Sequence, residues 1–295
     1  MRINQIITVS KNLLQQMQGT CFEQLVLNKP GSIFEAINMM KIVSKVSPLV
    51  GNLFEIDAVE RLRTEPSLST LGEWIRQDPD FPDVVLDRSG EEKVGYEIKA
   101  WFPMSTEITG RFKDSQSAFL NNHIQVVLFA WLPEKILWGK PKILKVAIVE
   151  GKAIAEARDK HYHNPPDYLV IEPRDTSQRT RNLQQRNTNG YKWQSGNREE
   201  AESLVASWGN NGKIYSIAPE YQHKISDLQS RYTYRLDTNY AKIDRVIEGG
   251  VENFKTEVLQ TSVEGLTISE WTRVFRSNSH DDIASVLRNR LGISN

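Results

Sequence analysis

The 295-residue chain balances 37 lysines and arginines against 37 aspartates and glutamates, and its one cysteine, Cys21, excludes a disulfide framework and any cysteine-rich zinc site. At 39% hydrophobic and 25% charged residues it has the composition of a soluble globular protein, long enough for one large α/β domain. No run of about 18 apolar residues suggests a membrane span, and polar Asn4, Gln5, Lys11 and Asn12 break any leader-like apolar core, so a cytoplasmic protein is expected.

The first 65 residues read as helical. Ile33, Phe34, Ile37, Met40 and Ile42 recur near helical spacing behind Ser32, a good N-cap. Ser47-Pro48 restarts the chain, Leu49, Leu53, Ile56, Val59 and Leu62 form a second stripe, and Pro66 closes it. Val84-Val85-Leu86, a polar turn from Asp87 to Glu92 with Ser89-Gly90, and Val94 to Trp101 make a hairpin signature. Thr106 to Asn122 reads as helix, and residues 124–132 and 143–149 as strands buried on both faces. A helix between strands suggests a crossover onto a sheet. Helix is predicted over 151–160 and a short strand over 168–171. Residues 172–198 lose apolar periodicity, and 199–295 read as mostly helical, with strand-like 213–217. There is no internal repeat.

The chemistry concentrates at Phe81-Pro82-Asp83 and Glu97-Ile98-Lys99. Strand residues two apart share a face, so Glu97 and Lys99 point together while Ile98 turns to the core. A hairpin turning about Gly90 places Asp83 directly opposite Glu97. Two adjacent carboxylates repel unless a cation lies between them. Magnesium suits such a pair, binding one or two carboxylates and filling its shell with water and phosphate. It can polarise a scissile phosphate and acidify a bound water. Lys99 could then orient or deprotonate that water, or neutralise charge on the phosphate.

In these residues, Pro82-Asp83 followed by Glu97-Ile98-Lys99, the chain resembles the PD-(D/E)xK nucleases, and among them the type II restriction endonucleases. The resemblance implies a restriction-endonuclease-like α/β core, αβββαβ, in which helices flank a mixed central sheet and further helices extend both ends. It implies Asp83 and Glu97 as magnesium ligands, Lys99 as the catalytic lysine, and, more weakly, Glu55 as an added ligand on the preceding helix. Glu60 competes with Glu55. Activity is expected to be magnesium-dependent cleavage of double-stranded DNA at a short site by a homodimer, with a methyltransferase of the same site as a candidate partner. The expected organisation is a single domain over 1–295, with its catalytic core at about 48–172.

Around this core, Arg174, Arg179, Arg181, Arg186 and Lys192 stand among glutamines and asparagines with one acid, Asp175, a composition suited to reading bases and offsetting phosphates. Arg111, Lys113 and Gln116 are further candidates for DNA contact. The plainer accounts are a solvated loop and a solvated helix face, and for the central trio a cross-strand ion pair. His161 and His163, near Asp159 and Asp167, precede Asn164-Pro165-Pro166 and read as surface residues. Ser269 to Leu291 reads as two helices about Ser277-Asn278-Ser279, suited to packing or dimer contacts more than to a helix-turn-helix DNA reader, and the seven tryptophans, Trp101 and Trp131 among them, as core. A structure-specific repair nuclease of the same fold and a non-catalytic DNA-binding protein are the alternatives.

Overall fold

Capping and proline chemistry set the helices that precede the sheet. The computed structural model describes residues 3–77, 80–88, 92–108, 122–162, 169–171, 191–193, 197–200, 203, 218–220, 223, 235–236, 243 and 246–294. Helix α1 spans Ile3–Gln15. Helix α2, Ile33–Ile42, starts behind Ser32 as predicted, the serine side chain accepting from the Glu35 N–H. A single 3-10 turn, Val43–Val46, leads into α3, Ser47–Thr64, with Pro48 in the first turn, where no helical bond needs its missing N–H. Glu65 is extended, and Pro66 opens the four-residue α4, Pro66–Ser69.

Residues 16–32 correct the all-helical reading of this end. Gly19, at φ 88°, turns the chain out of α1 and donates to Ile143 C=O, after which Cys21 and Leu27 bridge to Lys142 and Gly139.

Five strands follow: β1 (Glu73–Arg76), β2 (Val84–Asp87), β3 (Lys93–Trp101), β4 (Asn122–Pro133) and β5 (Pro141–Glu150). They lie in the order β1-β2-β3-β4-β5, antiparallel except for the parallel β3–β4 pair. The fold is thus α/β with a mixed five-stranded sheet. Strand β4 is buried on both faces from Ile124 to Leu132, as predicted. Strand β5 is not: it is the edge, with Lys142 and Glu150 exposed and Leu144, Lys145, Ala147 and Ile148 half-buried. A parallel pair needs a long crossover. Of the helix predicted for it, Thr106 to Ile108 are not helical, since Thr106 closes a turn on Phe102 C=O, and Asn122 already belongs to β4. The remainder, 109–121, lies outside the described residues.

The chain divides into two compact units. The first comprises Met1–Thr109, Asn121–Gly151 and Gly249–Asn295. On one face of its sheet Phe54 of α3 meets Phe129 at 5.3 Å and Phe22 at 4.8 Å. On the other, α6 (Gly249–Gln260) brings Phe254 to 5.8 Å from Trp101 and Glu257 to 3.2 Å from Lys145. A hairpin the sequence did not announce, β9 (Ser262–Val263) and β10 (Leu266–Thr267), leads to α7 (Ile268–Arg276) and α8 (His280–Leu291). A complete capping box at Thr267 and Glu270 starts α7. Ile268, Trp271, Ile283 and Leu287 join the main core, so this helix pair packs.

Helix α5 covers Gly151–Tyr162, all but its first residue in the second unit, where β6 (Leu169–Ile171), β7 (Tyr191–Trp193) and β8 (Arg235–Leu236) form a small mixed sheet. Strand β7 corrects the loop reading of residues 172–198: Lys192 is a strand residue, paired with Val170 and Arg235. Residues 213–217 lie outside those described. No helix among the described residues is long and apolar enough to cross a membrane.

Candidate active site

Pro82 decides where the β2–β3 pairing ends. The paired residues are Val84 with Tyr96 and Val85 with Gly95, the register predicted from a turn about Gly90. Continued one step past Asp83, that register would set Pro82 against Ile98, and proline has no N–H to offer a ladder. The side chains take over instead. Ile98 N–H donates to Asp83 Oδ2 at 2.6 Å, and Asp83 N–H donates to Glu97 Oε2 at 3.3 Å. Each carboxylate is pinned by a backbone amide of the opposite segment.

Gly95 makes room for this arrangement. A Cβ there would stand 2.6 Å from Pro82 Cγ and 2.8 Å from Val84 O, so only glycine lets the proline ring settle over β3. The adjoining corner adds a further tie, Gln77 N–H donating to Asp83 C=O at 2.8 Å.

As predicted, Ile98 points into the core while Glu97 and Lys99 share the other face of β3. Lys99 Nζ lies 2.6 Å from Glu97 Oε1 and 3.4 Å from Asp83 Oδ2. Among the described residues Glu97 is one of the few buried polar ones, 7% exposed. Burial pushes its carboxyl above the ordinary carboxylate value; Lys99 pulls it back, and the charge of Asp83 adds to the rise. Burial opposes the Lys99 ammonium, but Glu97 and Asp83 together hold it above the ordinary lysine value. One cation is shared by two acids, so the lysine gains twice and each acid gains only a share.

Glu55 of α3 lies within electrostatic reach of Asp83 and Lys99. Burial raises its pKa, its hydrogen bond from Arg76 counters that, and the charges of Asp83 and Lys99 act on it in opposite senses. Arg76 Nε meets Glu55 Oε2 at 2.7 Å, and Arg76 Nη2 donates to Asn52 Oδ1 at 2.8 Å. Glu60, the competing candidate, is exposed and makes no contact with Asp83, Glu97 or Lys99 among the described residues. The structure therefore gathers Asp83, Glu97 and Lys99, with Glu55 held by Arg76 within electrostatic reach of Asp83 and Lys99.

Of the candidates for DNA contact, Arg111, Lys113, Gln116, Arg174, Arg179, Arg181 and Arg186 lie outside the described residues, and Lys192 belongs to β7 of the second unit. His161 ends near the close of α5, and His163 lies outside. Four residues of the site escaped sequence reasoning: Asn52, Arg76, Gln77 and Gly95. Gly95 carried a signal, a glycine inside a strand pattern; the others had none.

Among the described residues, three carboxylates stand against Lys99 and Arg76, an excess of negative charge on oxygen donors that suits a hard divalent cation. Among the described residues no three His, Cys, Asp or Glu side chains close around a metal position by themselves. Magnesium does not need such a cage, since it keeps waters and takes substrate oxygens. No protein-family model matches the chain, and no curated protein matches it.

Proposed function

We propose that the chain is a magnesium-dependent DNA endonuclease with a restriction-endonuclease-like core. The observation that carries this reading is the exchange at the end of the β2–β3 hairpin, where Asp83, Glu97 and Lys99 converge on one half-buried patch through backbone-pinned carboxylates. The element order adds support: α3, the antiparallel β1-β2-β3 run and a fourth strand parallel to β3 follow the αβββαβ plan, apart from the second helix, which lies outside the described residues.

Asp83 and Glu97, with Glu55, would hold magnesium. When bound, it supplies Lewis-acid polarisation of a scissile phosphate and an acidified water. The protein holds Asp83, just before β2, and Glu97 of β3 in fixed orientation by main-chain amides, which costs no reorganisation when substrate arrives. Lys99, charged and anchored between them, can hydrogen-bond an attacking water or offset charge developing on the phosphate. Site-specific cleavage of both strands by a homodimer is the leading version, a twofold protein matching a symmetric site.

The test is incubation of purified protein with long unmethylated phage DNA, with magnesium or with EDTA, beside Lys99→Ala. Discrete magnesium-dependent fragments that vanish in the variant are expected, and sedimentation of the same preparation should show a dimer. Cleavage that survives Lys99→Ala, or none on linear or branched DNA, overturns the assignment.

A further inference from the structure

Strand β1 brings no predicted catalytic side chain, yet its end is tied to the site from two directions. Arg76, its last residue, reaches α3, where Nε meets Glu55 Oε2 at 2.7 Å and Nη2 meets Asn52 Oδ1 at 2.8 Å. Residues 52 and 55 are three apart on one helix, so a single planar guanidinium spans both acceptors. The next residue, Gln77, gives its N–H to Asp83 C=O at 2.8 Å. A two-residue corner thus holds the helix-borne acid with one member and the backbone of Asp83 with the other.

We infer that Arg76, steadied by Asn52 and paired across the sheet with Val84 beside Asp83, is a positioning residue that fixes the orientation of the Glu55 side chain and so completes the divalent-cation site without touching substrate. This rests on the nuclease reading above. The Glu55 side chain is 16% exposed and that of Arg76 30%, so the acid cannot rely on water for solvation and depends on its partner. Without the guanidinium, a half-buried carboxylate beside Asp83 turns outward to water, and the site loses it. A bond that served only to fasten β1 to α3 would show as lost stability, with no particular link to Glu55. Lysine cannot replace arginine fully, because one ammonium lacks the fork that engages Glu55 and Asn52 together.

The test is Mn2+ binding to the full-length protein without DNA, read from the paramagnetic resonance of free Mn2+. The proteins are wild type, Arg76→Met, Glu55→Gln, the double variant and Arg76→Lys, each checked by a thermal melt in EDTA. Each single replacement by Met or Gln is expected to weaken Mn2+ affinity about 10-fold. The double variant should be no weaker than either single, since both changes remove the same carboxylate. Arg76→Lys should recover part of the loss. Should Arg76→Met melt early, Asn52→Ala, a change on the exposed side of α3, reads the same coupling to Glu55. Wild-type affinity in Arg76→Met, or an equal loss in the presence and absence of Glu55, overturns the inference while leaving DNA cleavage by the wild type intact. If the wild type takes up no Mn2+ and cuts no DNA, the nuclease reading falls with it.

Discussion

At the residue scale, burial of its carboxylates makes the site sensitive to acid, and the Lys99 ammonium only partly offsets that. Glu97 and Glu55 both hold protons more readily than ordinary carboxylates, chiefly through burial. Metal binding needs their charged forms, so Mn2+ affinity should be complete only above the raised values and should fall with decreasing pH before ordinary carboxylates begin to titrate. The stability linkage has the opposite sense: a carboxyl raised in the folded state contributes below its unfolded value and loses that contribution as pH rises through the folded one. Glu97→Gln should therefore gain in melting temperature relative to wild type as pH is raised from acid to neutral; a gap that stays constant with pH would refute the assignment. Lys99→Met separates chemistry from binding. It should cut DNA cleavage by about 10²- to 10³-fold, yet bind Mn2+ at least as well as wild type, because the ammonium 2.6 Å from Glu97 no longer occupies the carboxylates. Weaker Mn2+ binding in that variant would contradict this. The trio was legible because strand periodicity and one turn position determine cross-strand neighbours. Arg76 was not: its partners lie 21 and 24 positions away, and only packing of α3 against β1 brings them together.

At the element scale, the hairpin depends on the fit of Pro82 over Gly95. Gly95→Ala puts a methyl where Pro82 Cγ and Val84 O already stand, an overpacking that costs about 1–3 kcal/mol. The strand backbone is not at fault, since Gly95 has no positive φ and alanine is otherwise acceptable there. The relief must come from the Pro82-Asp83 segment, so cleavage should fall more than the lost stability explains. Chemical denaturation set beside cleavage rates under fully folding conditions checks this; loss of stability with unchanged turnover would mean the proline moves without Asp83. The elements legible from sequence were those with a cap or a long apolar run: α2 behind Ser32, α3 behind Pro48, β4 buried on both sides. Strand β1 has four residues, of which only Trp74 is buried, so no period could show. The two-residue strands β9 and β10 are recognisable only once paired, and residues 16–27 are drawn out of helix by Ile143 and Gly139, far along the chain.

At the scale of the whole molecule, the first unit is closed by its last segment. One apolar cluster runs from Ile6 to Ile293, and residues after Gly249 supply Ile268, Trp271, Ile283, Leu287 and Leu291 to it, while Phe254 covers Trp101 on the far face of the sheet. No local pattern could reveal that closure, because each helix reads as amphipathic whether it packs on the core or serves as an appendage. The energetic consequence is large. Emptying one buried aromatic or leucine position costs about 2–5 kcal/mol, and a domain's net stability is about 5–15 kcal/mol. Removing five such side chains together exceeds that margin. A chain ending at Glu248 is therefore expected to lose its cooperative thermal transition and become protease-sensitive throughout, although Asp83, Glu97 and Lys99 remain in it. Trp271→Ala alone, which also frees Val263 C=O from the indole N–H at 2.8 Å, should cost about 3–5 kcal/mol in denaturant and leave a folded protein that still binds Mn2+. If the truncated chain melts cooperatively at the wild-type temperature, the C-terminal helices are an addition to a core that stands without them, and the sheet with α1 and α3 suffices to hold the site.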